Sequence, residues 1–414
     1  MPPTTSKLYN AVSSGSVERT LDLLSDGSID IDQRCDENGV TALMCAANNG
    51  YLRIVRVLLR LGADVSASTD DGHTALHFAI GGRNTAVTKA LIRAGADVEA
   101  KADLVRMGSE IVQCQTPLHL AAGEGFCEGM VALINAGANV DGRTSNGSTA
   151  MYIAACIGNL EAVKILLKKK ANPLLRVGPT HAIDIATHGG HLGVVQELVQ
   201  RFGVDGCADE GAIGALETAA YENHPTILTF LLDAGVIDTG GTALCDAIEG
   251  RNEACLKLLV SRRGGNAHMV ERLYTNIDNA CENPLLCAFG TGRGYAPRIA
   301  RFLLDHGADT ETKVRFEIEG LGEIVQGPLV AAKITLRHEQ THFEDADVER
   351  VDGLKGVVRL LQQEAAVHAN SWAWPTDSDR ATKIVRKPPA FKIRAGPRPK
   401  VLLAAMGRCV EWCQ

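Results

Sequence analysis

His338-Glu339-Gln340-Thr341-His342 has the spacing of a hydrolytic metal centre. On a helix, two histidines four apart share a face and can bind zinc, and the glutamate beside the first can activate a water. Its surroundings argue against that chemistry. Arg337 precedes the first histidine and Glu344 and Asp345 follow closely, where such sites place uncharged residues, and only spacing nominates Glu364 as a third ligand. A solvated helix end is the better reading, and a metal-dependent hydrolase is kept as an alternative. Gly290-Thr291-Gly292-Arg293-Gly294 has the glycine density of a phosphate cradle, but no strand precedes it to aim the loop. Asn146-Gly147-Ser148 matches a glycosylation sequon, yet Asn-Gly is also turn chemistry. The 12 cysteines are scattered without a C-x-x-C pair, as expected of small buried hydrophobes in a reducing compartment. No catalytic residue, cofactor or metal is therefore expected.

The elements that would position any site come from a recurring phrase. Thr41-Ala42-Leu43-Met44-Cys45-Ala46-Ala47, Thr74-Ala75-Leu76-His77-Phe78-Ala79, Thr116-Pro117-Leu118-His119-Leu120-Ala121-Ala122 and Thr149-Ala150-Met151-Tyr152-Ile153-Ala154-Ala155 lie 33, 42 and 33 residues apart, a 33-residue period with one nine-residue insertion. In each unit a glycine turn such as Asn38-Gly39 leads to a threonine placed to cap a short alanine-rich helix. A loop and a second helix with apolar residues at helical spacing follow, for example Ile54, Val55, Leu58 and Leu59, and Gly62 stops that helix. Later units are worn, and Ala186, Ala219, Ala247 and Ala288 mark their first helices. Leu8 to Leu24 reads as a degenerate opening unit, and Pro328–Ala332 with Val357–Leu361 as a closing one.

Period and phrase together resemble the ankyrin-repeat family, most strongly over residues 36–172 and 283–310. The resemblance implies an all-α solenoid of about ten stacked helix-turn-helix units with β-hairpin fingers. Residues 1–6 are expected to be a disordered lead, 7–370 the repeat domain, and 371–414 a basic, proline-containing tail with a short C-terminal helix. Insertions near 101–115 and 311–327, each ending in Ile-Val-Gln, read as lengthened β-hairpin fingers, and 337–352 as a charged loop. His77 and His119 stand where the family keeps a structural histidine. The asparagine that some members hydroxylate is replaced here by Ser66, Glu99 and Asp141.

Partners of this family usually dock on the concave side, which the resemblance assigns to the turn positions and to the residues after each alanine pair. Here those are Val40, His73, Gln115 and Ser148 in the turns, and Asn48, Asn49, Glu124, Cys156, Ile157, His188, Tyr221, Glu222 and Glu249 after the pairs. Asp184 and Glu217 add charge, so the early units read as polar and neutral and the middle ones as acidic. The expected partner is a basic or amphipathic protein or peptide. Net charge −7 and pI near 6.0 argue against nucleic acid, and no apolar run is long enough to span a membrane. From Ser371 on, nine Lys/Arg face three Asp/Glu, so the tail could lie against an acidic groove or serve nuclear import. The chain reads as a non-enzymatic interaction scaffold or adaptor, monomeric and cytoplasmic. A ubiquitin-ligase substrate adaptor acting through the tail is the second alternative.

Overall fold

A computed structural model describes residues 7–25, 27, 29–104, 112–178, 180–206, 211–236, 242–262, 285, 288, 295–306, 308, 314–318, 322–326, 329, 332–333, 336 and 348–371. The H-E-x-x-H string, the glycine run at 290–294 and the tail beyond Ser371 lie outside these residues. The chain divides into two compact units at Gly211/Ala212.

The first unit is built of helix pairs: α1 (Lys7–Ser13) with α2 (Val17–Ser25), α3 (Ala42–Asn48) with α4 (Leu52–Arg60), α5 (Ala75–Gly81) with α6 (Thr85–Arg93), α7 (Pro117–Gly123) with α8 (Cys127–Asn135), α9 (Ala150–Ile157) with α10 (Leu160–Lys168), and α11 (Ala182–His188) with α12 (Leu192–Gly206). First helices pack in chain order on first helices and second helices on second helices, the serial arrangement that the 33-residue period predicts. Small side chains make the first row possible: Ala42, Ala46, Ala47, Ala75, Ala79, Ala121, Ala122, Ala154, Ala155 and Ala186 are almost wholly buried, so neighbouring backbones come close. The second row fills the seam with Ile54, Leu58, Val87, Leu91, Met130, Leu133, Val163, Leu166 and Leu198. Each large side chain buried there contributes roughly 1.5–3 kcal/mol.

The capping threonines act as expected, with a variation. Thr41 and Thr149 accept through their hydroxyls from the backbone N–H of Met44 and Tyr152, at 3.4 and 3.2 Å. At Thr74 and Thr116 the backbone N–H also donates to the side chain three residues on, to the Nδ1 of His77 and His119 at 3.2 and 3.3 Å. That fixes the proton on Nε2, and His119 uses it to donate to the Gly142 carbonyl in the next turn at 2.9 Å. Tyr152 makes the corresponding reach to the Thr180 hydroxyl, 3.0 Å away. At α11 the pair is interchanged. His181 takes the cap position, its backbone N–H donates to Asp184 Oδ2 at 2.8 Å, and its Nδ1 lies 3.4 Å from the same oxygen.

The turns are tied to each other by a second device. Asp30, Asp64, Asp97, Asn139 and Asn172 each accept through Oδ1 from the backbone N–H two residues on, an Asx turn repeated five times. The residue at that second position then reaches to the next unit: Asp32 accepts from the Asp64 N–H at 3.0 Å, Glu99 from Asn139 at 2.7 Å and Asp141 from Asn172 at 2.9 Å. Ser66 is too short for the reach and bonds Asp64 within its own turn at 2.6 Å.

The second unit holds α13 (Gly211–Tyr221) with α14 (Pro225–Asp233), α15 (Thr242–Glu249) with α16 (Glu253–Arg262), α17 (Tyr295–Asp305) and α18 (Val348–Ser371). Second helices α14 and α16 pack together, as do α17 and α18. The two finger insertions are antiparallel hairpins: β1 (Ala102–Leu104) with β2 (Val112–Gln115) in the first unit, and β3 (Val314–Ile318) with β4 (Gly322–Gln326) in the second. The charged loop expected over 337–352 needs correction at its end. Residues 348–352 are already helical, because Val351 extends back the buried stripe of Leu354, Val357, Val358 and Leu361 despite the charges around it.

The ladder of turn bonds is open to a direct check. Asp141→Ala removes an inter-unit acceptor and is expected to cost about 1 kcal/mol in urea denaturation, whereas Ser66→Ala, which breaks no inter-unit bond, costs less than about half of that.

Candidate functional site

The C-terminal ends of the first helices and the turns before them form the same station in every unit. Of the residues expected to face a partner, Asn48, Asn49, Glu124 and Glu249 are exposed, and Val40, His73, Ile157, His188, Glu217, Tyr221 and Glu222 are half-buried. Four need correction. Gln115, Ser148, Cys156 and Asp184 are only 2%, 5%, 6% and 5% exposed, so their side chains are not an open contact surface. The causes are local. Gln115 pairs with Ala102 at the base of the first hairpin. Ser148 folds under its own turn, its N–H donating to Asn146 Oδ1 and its carbonyl accepting from the Thr144 N–H. Cys156 lies inside α9, which runs one residue longer than α3, α5 and α7. Asp184 is spent on the interchanged cap.

Around the half-buried residues the geometry is fixed by neighbours. His73 stands edge-on to His77 with ring centroids 5.6 Å apart and also meets Phe78 at 6.2 Å. Burial lowers the pKa of His73, against the pull of Asp71 and Asp103. Burial first, and then His73, push His77 down from 6.5 to about 4. Burial also raises Asp184, which His181 and Arg176 partly oppose. In the second unit the Thr242 hydroxyl donates to the Glu217 carboxylate, so this glutamate braces α13 against α15 as well as adding charge.

The sequence reading missed a set of side chains that set this station's shape. Asn84 Nδ2 donates to the carbonyls of Ala47 and Asn48 at 3.2 and 2.9 Å, His191 Nε2 to Cys156 at 3.0 Å, and Asn252 Nδ2 to Ala220 at 2.8 Å. Each sits just before a second helix and clamps the end of the previous unit's first helix, satisfying carbonyls the helix leaves open. A signal was present: Asn84, Asn159 and Asn252 recur at that position. Close approach also demands a glycine, since a Cβ on Gly82 would collide with the Asn48 carbonyl.

In each unit the station thus offers fixed backbone ends with exchangeable side chains: polar with the single exposed acid Glu124 in the first unit, and Glu217, Tyr221, Glu222 and Glu249 in the second. Among the described residues no group of three or more metal-ligating side chains is assembled, and no helix is long and apolar enough to cross a membrane. The arrangement suits non-covalent recognition of another polypeptide.

Comparison with known proteins bears on the same residues. The family described as Ankyrin repeats (3 copies) matches residues 8–102 and 104–177. The chain is 31% identical to human SH3 and multiple ankyrin repeat domains protein 2 over 163 residues, 37% of this chain and 9% of that one. To the Caenorhabditis elegans Ankyrin repeat and KH domain-containing protein mask-1 it is 29% identical over 188 residues, 40% of this chain and 7% of that one. To mouse Protein phosphatase 1 regulatory subunit 27 it is 48% identical over 65 residues, 16% of this chain and 41% of that one. The chain therefore spans less than a tenth of the first two relatives and less than half of the third.

The buried histidines give a measurable pH dependence. A folded-state pKa of about 4 against 6.5 when free means that the unfolded chain takes up the His77 proton first, so His77's contribution is intact above pH 6.5 and is lost as pH falls towards 4. Between pH 7 and pH 5 this is worth about 2 kcal/mol. In urea titrations His77→Gln is expected to lose less stability over that interval than the wild type, by about that amount.

Proposed function

We propose that this chain, which belongs to the ankyrin-repeat family, is a non-enzymatic adaptor that holds a protein or peptide partner along the ends of its first helices. One observation carries the reading: a rigid, repeated clamp of Asn84, His191 and Asn252 onto the preceding helix ends, beside side chains that change from unit to unit. A scaffold bound in this way keeps its backbone still and varies only what it presents, which lets a few well-placed side chains dominate affinity. In the second unit the presented groups are Tyr221, Glu222 and Glu249, which favour a basic or amphipathic segment. The cytoplasm is the compartment we infer from 12 cysteines scattered through the sequence without a C-x-x-C pair.

A narrower reading draws on the 48% identity to a subunit named as regulating protein phosphatase 1: the adaptor's client is a phosphatase.

Affinity capture from cell lysate followed by mass spectrometry tests both readings. The triple variant Tyr221→Ala/Glu222→Lys/Glu249→Lys, at two half-buried positions and one exposed one, is expected to keep the helical circular dichroism of the wild type and to lose partners that the wild type retains, with affinity reduced about tenfold or more for the principal one. An identical set from both proteins would refute the first-helix reading. Recovery of no phosphatase catalytic subunit would refute the narrower one.

A further inference from the structure

We propose that the cleft between α17 and α18, on the second helices of the second unit, is a docking site for an acidic amphipathic peptide segment. Its volume is about 590 Å³, and its lining combines an apolar floor of Pro297, Phe302 and Leu360 with the guanidinium groups of Arg298, Arg301 and Arg359. The floor is held in place. Phe302 stacks against His306 with centroids 4.3 Å apart, and His306 Nδ1 bonds the Phe302 carbonyl at 2.8 Å. Gly356 brings α18 so close to α17 that a Cβ there would collide with Pro297.

The charges are unequal in their commitments. Arg298 Nη2 is held by Glu253 of α16 at 2.6 Å, and Arg301 Nη2 lies 3.5 Å from Gln363 Oε1 across the cleft. Arg359 projects from α18, and all three arginines are exposed. Asp305 is the acidic residue of the lining. Three guanidinium groups against the two carboxylates of Asp305 and Glu253 leave the cleft with an excess of one positive charge, in a chain that as a whole is acidic, at −7. Guanidinium groups present paired donors that match a carboxylate fork, and beside an apolar floor this selects glutamate or aspartate next to a hydrophobic side chain. From Pro297 to Asp305 the cleft wall is about 12 Å long, two turns of a bound helix. The apolar floor of Pro297, Phe302 and Leu360 has no counterpart in a continuous phosphate backbone, which separates an amphipathic acidic polypeptide from nucleic acid.

The test uses the full chain and a fluorescein-labelled, helix-forming peptide of alternating Glu-Glu and Leu-Leu pairs, followed by fluorescence polarisation. Binding is expected to be saturable, to weaken with added salt, and to fall at least about tenfold in Arg301→Glu/Arg359→Glu. Arg301→Lys/Arg359→Lys is expected to keep most of the affinity. Because these side chains are exposed, circular dichroism should be unchanged in both variants. Equal binding by Arg301→Glu/Arg359→Glu, equal binding of a Lys-for-Glu peptide, or displacement by millimolar inorganic phosphate or by single-stranded oligonucleotide would each overturn the proposal.

Discussion

The structure rests on one constraint: a helix pair of this size buries its apolar side only when a near-identical pair lies against it. Ala46, Ala79, Ala121, Ala154 and Ala186 are fully buried because each faces a neighbour's backbone at close range, and a larger side chain at any of them would push two pairs apart. Hydrophobic contact alone would let adjacent pairs slide. Directional bonds prevent that at both edges of the row. The Asx turns, with Asp32, Glu99 and Asp141 reaching across, lock one edge, and Asn84 and His191 clamp the other. Stability in such a row is nearest-neighbour in character.

Most of the fold was legible in the sequence because its determinants are local and repeated. The threonine cap, the alanine pair, the glycine stop and the His77/His119 position each recur at fixed spacing, and each is found doing the work its chemistry suggests. The hairpin insertions were legible for the same reason, as β-prone residues around a glycine interrupting a known period. The start of α18 was not, because Glu349, Arg350 and Asp352 mask a buried stripe that continues through Val351.

The binding station was less legible, and the failures share a cause. Family position says where a residue stands in its unit but not what the adjoining insertion or cap does to it. A hairpin covers Gln115, a tightened turn hides Ser148, a longer helix takes in Cys156 and an altered cap consumes Asp184. Exposure at Asn48, Asn49, Glu124 and Glu249 follows from the absence of any such local event. The acidic character of the middle units thus survives in part: Glu222 and Glu249 keep it, Glu217 shares its charge with the Thr242 hydroxyl, and Asp184 drops out.

The interchanged cap at α11 also constrains how this unit can change. Thr-then-His and His-then-Asp solve the same problem, an open backbone N–H at the helix start, with the same assignment of donor and acceptor: the cap residue's N–H donates and the side chain three residues on accepts. The two solutions mix in one direction only. Threonine at 181 would keep the backbone N–H that Asp184 accepts from and lose only the imidazole beside it, whereas histidine at 184 opposite His181 would set two rings against each other in a space built for one. A lineage moving between the two forms therefore has an easier road through position 181 than through position 184, so the order in which the two residues change is itself constrained.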